Sequence, residues 1–144
     1  MTHEDAGHYA IKHPAGTPHD PEVARGLSAR AKNGHITCTA AFEVIEALGV
    51  TPAEVGTALD LQEFRIVKCQ LGLFGYSPEK RIVKPAAEVS EDMRERILRA
   101  VDGAGITCAA CWQIAESLGV PRMDVSNACE RLGLKVTDCQ LGAF

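Results

Sequence analysis

Aromatic residues are scarce: Phe, Tyr and Trp together make up 5% of the 144 residues. Any core must therefore be aliphatic, and a chain rich in Ala, Leu and Glu favours helices. Long apolar runs are also missing. None approaches the roughly 18 residues of a membrane span, so no membrane partner is expected. The opening residues Met1 to His8 lack the basic-then-apolar order of a secretory signal, and the expected location is the cytoplasm. There is no excess of positive charge: 15 Lys and Arg face 19 Asp and Glu, for a net charge of −4. A small dedicated nucleic-acid binder usually carries a basic excess, so this balance counts against that function. The sequence holds no glycine-rich phosphate loop, no nucleophile elbow and no paired-acid motif. Neither an enzyme nor a cofactor is expected.

What the chain does contain is a copy of itself. Residues 20–74 and 90–144 align without a gap at an offset of 70. Ile36-Thr37-Cys38 returns as Ile106-Thr107-Cys108, and Leu48-Gly49-Val50 as Leu118-Gly119-Val120. Val55 and Ala58 return as Val125 and Ala128, and Cys69-Gln70-Leu71-Gly72 as Cys139-Gln140-Leu141-Gly142. Two copies of about 55 residues are two copies of one small unit, too few for a solenoid. The expected organisation is a flexible arm at 1–19, a first unit with its linker at 20–85, and a second unit at 86–144. The arm expectation rests on four histidines (His3, His8, His13, His19), Pro14, Pro18 and little apolar content.

Each copy has the same layout. Asp20 with Pro21 behind it opens a helix carrying Val23, Leu27 and Ala31; Ser90 opens its counterpart with Met93, Ile97, Leu98 and Val101. A short extended segment follows at 35–37 and 105–107. Thr37 and Thr107 then cap a second helix that ends at Leu48 and Leu118. After the Gly-Val turn, a third helix runs over 52–62 and 122–132. A strand comes next, with Phe64 and Ile66 or Leu134 and Val136 alternating. Residues 81–84 read as a return strand for the first copy only. The expected core is Leu48, Val50, Val55 and Ile66, with Leu118, Val120, Val125 and Val136 matching them.

The stretch from Ile114 to Gly133 resembles a helix-turn-helix. Gly119 permits the turn, Leu118 and Val120 anchor both helices, and Val125 plugs the third helix onto the second. With a strand before the second helix and another after the third, each unit is similar to a winged helix. The fold class is then mainly α: a tandem duplication of a small winged-helix-like unit, a helix-turn-helix plus a short β-hairpin. The resemblance implies that the third helix enters the major groove while the hairpin touches the backbone. In the second copy Arg122, Arg131 and Lys135 would supply charge, and Ser126 and Asn127 would meet base edges. The corresponding segment 51–63 of the first copy bears Glu54, Asp60 and Glu63 and no positive charge. Arg65, Lys68, Lys80, Arg81 and Lys84 make residues 64–84 the one clearly basic stretch, suited to backbone contact or to keeping an edge hairpin soluble.

Six cysteines in a cytosolic chain read as reduced thiols or metal ligands rather than a disulfide framework. Cys38 and Cys108 stand in the first turn of a helix, where the dipole favours a thiolate. Cys69 and Cys139 follow the last strand and could approach them. Cys108-Ala-Ala-Cys111 adds a C-x-x-C, and Cys129 a sixth thiol. Candidate metal ligands are thus Cys38, Cys69, Cys108, Cys111 and Cys139, with arm histidines in reserve; buried packing is the competing account. Gly72 and Gly142 are expected to turn the chain in a left-handed conformation, with Phe74 and Phe144 docked behind them. The leading functional expectation is a DNA-binding or transcription-associated protein. The alternative is a protein–protein adaptor on the same units, with a thiol redox or metal site. A homo-oligomer is compatible with both.

Overall fold

A computed structural model describes residues 8–18, 20–103 and 105–144. The fold is mainly helical and repeats internally, in the order α1 (Pro21–Arg30), β1 (His35–Thr37), α2 (Cys38–Leu48), α3 (Pro52–Leu61), β2 (Arg65–Val67), then α4 (Glu91–Ala100), β3 (Gly105–Thr107), α5 (Cys108–Leu118), α6 (Arg122–Arg131) and β4 (Lys135–Thr137). No described helix is long and apolar enough to cross a membrane.

Local chemistry sets the helix boundaries. The Asp20 carboxylate accepts from Glu22 N–H and Ser90 Oγ from Met93 N–H, opening α1 and α4. Thr37 and Thr107 cap α2 and α5 by accepting from Ala40 and Ala110 N–H at 3.0 and 3.1 Å. Thr51 and Glu54 form a reciprocal capping box at α3. Gly49 and Gly119 close α2 and α5 at φ 65° and 66°, in the left-handed region that a side chain disfavours.

The strands pair within each repeat, and they do so in parallel: Ile36 lies opposite Ile66, and Ile106 opposite Val136. A winged helix has an antiparallel wing here. Parallel neighbours need a crossover, and in this chain two helices provide it. The return strand expected at 81–84 does not form. Instead, Ile82 and Val83 N–H both donate to the Gly72 carbonyl, folding 72–83 into a loop.

The chain divides into two compact units that are not the two sequence copies. Unit 1 is Met1–Cys69 with Gln140–Phe144, and unit 2 is Gln70–Cys139. The segment after β4 thus completes unit 1, and the segment after β2 opens unit 2. Val23, Leu27, Val44, Val55, Leu59 and Leu141 are core residues of unit 1; Leu71, Ile97, Ile106, Cys111, Val125 and Cys129 are core residues of unit 2.

Half of the expected core is buried: Val55, Ile66, Val125 and Val136. Leu48 is 38% exposed, and Val50, Leu118 and Val120 are only half-buried. The buried stripe of α2 is Cys38, Ala41 and Val44, while residues 46–49 are all exposed, so its last turn stands outside the packed region.

Residues 8–18 are tied down where a flexible arm was expected. A 3-10 turn at Tyr9–Lys12 buries Tyr9. Glu63 accepts from Tyr9 and Ala10 N–H at 2.8 and 2.9 Å. Asp60 Oδ2 receives Lys12 Nζ at 3.1 Å and His13 Nε2 at 2.8 Å. The remainder of the arm, with His3 and His19, lies outside the described residues.

Candidate interaction site on the third helix of each unit

Residue 56 of α3 and residue 126 of α6 occupy the same place in the repeat, and both are buried beneath a Gln-Leu-Gly segment. In unit 2, Ser126 Oγ donates to the Leu71 carbonyl at 2.8 Å and lies 3.1 Å from the Met123 carbonyl. Ser126 is 1% exposed. In unit 1 the equivalent residue is Gly56. A Cβ there would run into the backbone carbonyl of Leu141, so only glycine lets that segment lie so close. Leu71 and Leu141 are both buried, as is Ala143.

The turn after each leucine is left-handed, as expected: Gly72 at φ 74° and Gly142 at φ 76°. The leucines are buried more deeply than the rings that follow them: Phe144 is 40% exposed and Phe74 half-buried. In unit 1, Lys12 Nζ donates to the Gly142 carbonyl at 3.0 Å, so the arm closes over the segment. In unit 2, Lys84 N–H donates to Asn127 Oδ1 at 3.1 Å and Ala86 N–H to the Asn127 carbonyl at 3.0 Å. Arg81 pairs with Glu130 at 3.1 Å.

The proposed nucleic-acid contacts fall differently from expectation. Ser126 is buried and spends its hydroxyl within unit 2, while Asn127 is half-buried and its Oδ1 accepts from Lys84 N–H. Arg122 is exposed but stacks on the Trp112 ring, 3.6 Å from its centroid, and donates to Gln70 Oε1 at 3.2 Å. Arg81 has Glu130 as its counter-ion. Lys80, Lys84, Arg131 and Lys135 are exposed on unit 2, while Arg65 and Lys68 are exposed on unit 1. Two of the acids at 51–63 that would repel phosphate have a use: Asp60, on α3, and Glu63, just beyond it, hold residues 9–13.

The cysteines are free thiols, and all but Cys139 are buried. The expected activated thiolates at Cys38 and Cys108 therefore sit inside their units. Among the described residues, no group of three or more His, Cys, Asp and Glu side chains is placed to hold a metal ion. The thiols of Cys111 and Cys129 hydrogen-bond between α5 and α6. Donation to Cys129 and burial both push the Cys111 thiol up. The equivalent positions in unit 1 are Ala41 and Leu59, both fully buried. Two mid-sized thiols replace one small and one large side chain.

An open cleft of about 360 Å³ is lined by Thr17, Pro18, Val23, Asp20 and Glu54 among others. Its two carboxylates are engaged as helix caps.

Sequence reasoning missed Gly56, Leu71 and Leu141 as the paired parts of one arrangement. The signal was the repeated Cys-Gln-Leu-Gly. No protein-family model matches the chain, and neither a curated protein nor a solved structure matches it.

Proposed function

We propose that this chain is a protein–protein interaction adaptor built on two helix-turn-helix-like units, not a reader of DNA. The observation that carries this is the occupancy of both third helices. The α3 face lies under Leu141 and the arm, and the α6 face under Leu71 and residues 81–86. A helix that enters the major groove presents free polar side chains to base edges. Here the Ser126 hydroxyl is buried and spent on the Leu71 carbonyl, and Asn127 Oδ1 accepts from Lys84 N–H. The net charge of −4 favours the same reading. The adaptor acts by binding alone, without a catalytic group, in the cytoplasm, where its thiols stay reduced.

The test is fluorescence anisotropy with mixed-sequence duplex DNA at about 50 and 200 mM salt. The adaptor reading expects no association at either concentration. Salt-sensitive binding that is lost on Lys84→Ala or Arg131→Ala overturns it in favour of a DNA-binding protein.

A further inference from the structure

One buried contact of unit 2 has chemistry that its counterpart in unit 1 lacks. Cys111 of α5 meets Cys129 of α6, and both side chains are fully buried. Their sulfurs share a hydrogen bond. In unit 1 the same two positions hold Ala41 and Leu59, also fully buried. Hydrocarbon therefore fills this helix–helix contact in one repeat, and packing alone does not call for two sulfurs in the other.

Two cysteines that face each other on neighbouring helices are what a disulfide needs. Their side chains must point together, and the sulfurs must be able to close to about 2.05 Å. Thiols already in hydrogen-bond contact meet the first condition, and small side-chain rotations supply the second. The pair is also polarised. Cys111 donates and Cys129 accepts, which lowers the Cys129 thiol against the opposing effect of burial. Cys129 is then the nucleophile.

We propose that Cys111 and Cys129 are a peroxide-responsive modification site, at which a reversible disulfide locks α5 to α6. This goes beyond the adaptor reading and does not depend on it. In the reducing cytoplasm the pair rests as two thiols, and a disulfide formed there is transient and redox-sensing. Hydrogen peroxide, little larger than water, enters during local opening of the two helices. The Cys129 thiolate attacks one peroxide oxygen. A sulfur–oxygen bond forms, the oxygen–oxygen bond breaks, and hydroxide leaves, taking up the proton that Cys129 released. The Cys111 sulfur then attacks the sulfenic sulfur of Cys129. The sulfur–sulfur bond forms, the sulfur–oxygen bond breaks, and the hydroxyl leaves with the Cys111 proton as a second water. The two sulfurs together lose two electrons, and the peroxide gains them. A thiol reductant reverses the link by exchange.

Peptide mapping tests it. The full-length chain is reduced, freed of reductant and exposed to hydrogen peroxide, then alkylated, digested and analysed by mass spectrometry without reduction. The expected product is an intramolecular link between Cys111 and Cys129 that dithiothreitol removes. The linked chain should have a higher urea midpoint than the reduced one. The double variant Cys111→Ala, Cys129→Leu carries the unit 1 pair, and its midpoint should not rise with peroxide. The proposal is overturned if no link between Cys111 and Cys129 forms, or if Cys111 joins instead to Cys108, one turn earlier on α5. It is equally overturned if the double variant's midpoint rises as much as that of the unaltered chain. Mapping uses the unaltered chain, so it decides the matter even where the variant folds poorly.

Discussion

The Ser126 hydroxyl donates to the carbonyl oxygen of Leu71 across 2.8 Å, and Gly56 lies against the carbonyl of Leu141 with no side chain at all. The same repeat position thus meets the same repeat partner by two means. In unit 2 a hydroxyl satisfies the carbonyl. In unit 1 the backbone comes closer still.

These two solutions are not interchangeable. Ser126→Ala leaves the Leu71 carbonyl short of a buried donor and is expected to cost about 1–3 kcal/mol. Gly56→Ser places a Cβ against the Leu141 carbonyl and forces the segment outward, at a cost of about 1–3 kcal/mol from overpacking. Urea midpoints for both variants check this. An unchanged midpoint for Gly56→Ser would show that the segment shifts freely.

Cys111 and Cys129 should behave as one packing unit. Cys129→Leu alone overfills the site, and Cys111→Ala alone leaves a gap. The double variant reproduces the Ala41 and Leu59 of unit 1 and should be clearly less destabilised than the sum of the singles. A double-mutant cycle is expected to return a coupling of about 0.5–3 kcal/mol. Near-additive effects would mean that the two sites relax independently.

The same pair predicts a pH dependence. Their shared hydrogen bond, with burial, raises the Cys111 thiol and lowers the Cys129 thiol, so in the alkaline range Cys111 is the member of the pair that keeps a proton the unfolded chain loses. Below the ordinary thiol pKa of about 8.5 the group contributes no slope. Above it, the unfolded chain releases a proton that the folded chain keeps, and stability falls by about 1.4 kcal/mol per pH unit. Urea denaturation at a series of pH values from neutral to alkaline should show the decline. The slope should flatten in the double variant Cys111→Ala, Cys129→Leu.

Trp112 is the only tryptophan, and the Arg122 guanidinium lies against its ring. Arg122→Ala should alter its emission and cost about 0.5–1 kcal/mol, the range for an exposed cation–π contact. Arg122→Lys should recover only part of this, because an ammonium does not stack as a planar guanidinium does. Unaltered emission in Arg122→Ala would show that the stacking does not persist in solution.

Asp60→Asn should loosen residues 9–13. Asp60 holds Lys12 and His13 on one oxygen, while Glu63 holds the backbone of Tyr9 and Ala10. Limited proteolysis should cut the variant faster between residues 8 and 18 and leave the interiors of the helices protected. Equal cutting rates would assign the anchoring to Glu63 and Tyr9 alone.

Much of the local architecture was legible in the sequence, because it is written in short-range chemistry. The caps at Asp20, Thr37, Ser90 and Thr107 and the glycine turns at 49 and 119 each depend on a few neighbouring residues. The strand direction was not legible. Three-residue strands carry no mark of parallel or antiparallel pairing, and the winged-helix resemblance supplied the wrong sense. Nor could spacing reveal that Leu141 belongs with α3. Periodicity reports which face of an element is apolar, not which distant segment covers it. The roles of Asp60 and Glu63 were hidden for the same reason: acids on a helix look solvated until their partners are in place. Ser126 and Asn127 read as base-edge contacts because polar residues on a third helix are ambiguous without their neighbours.

Unit 2 is one continuous stretch of chain, Gln70–Cys139, whereas unit 1 is interrupted and lacks residues 140–144 until they are made. During synthesis a chain normally settles from its N-terminal side onward. Here that order cannot finish the first unit, because Leu141 leaves the ribosome only after every residue of unit 2. The α3 groove therefore remains vacant throughout the translation of α4 to β4. The unit that is begun first is completed last, and a nascent chain that pauses late in translation would expose a half-built surface to whatever neighbours are present.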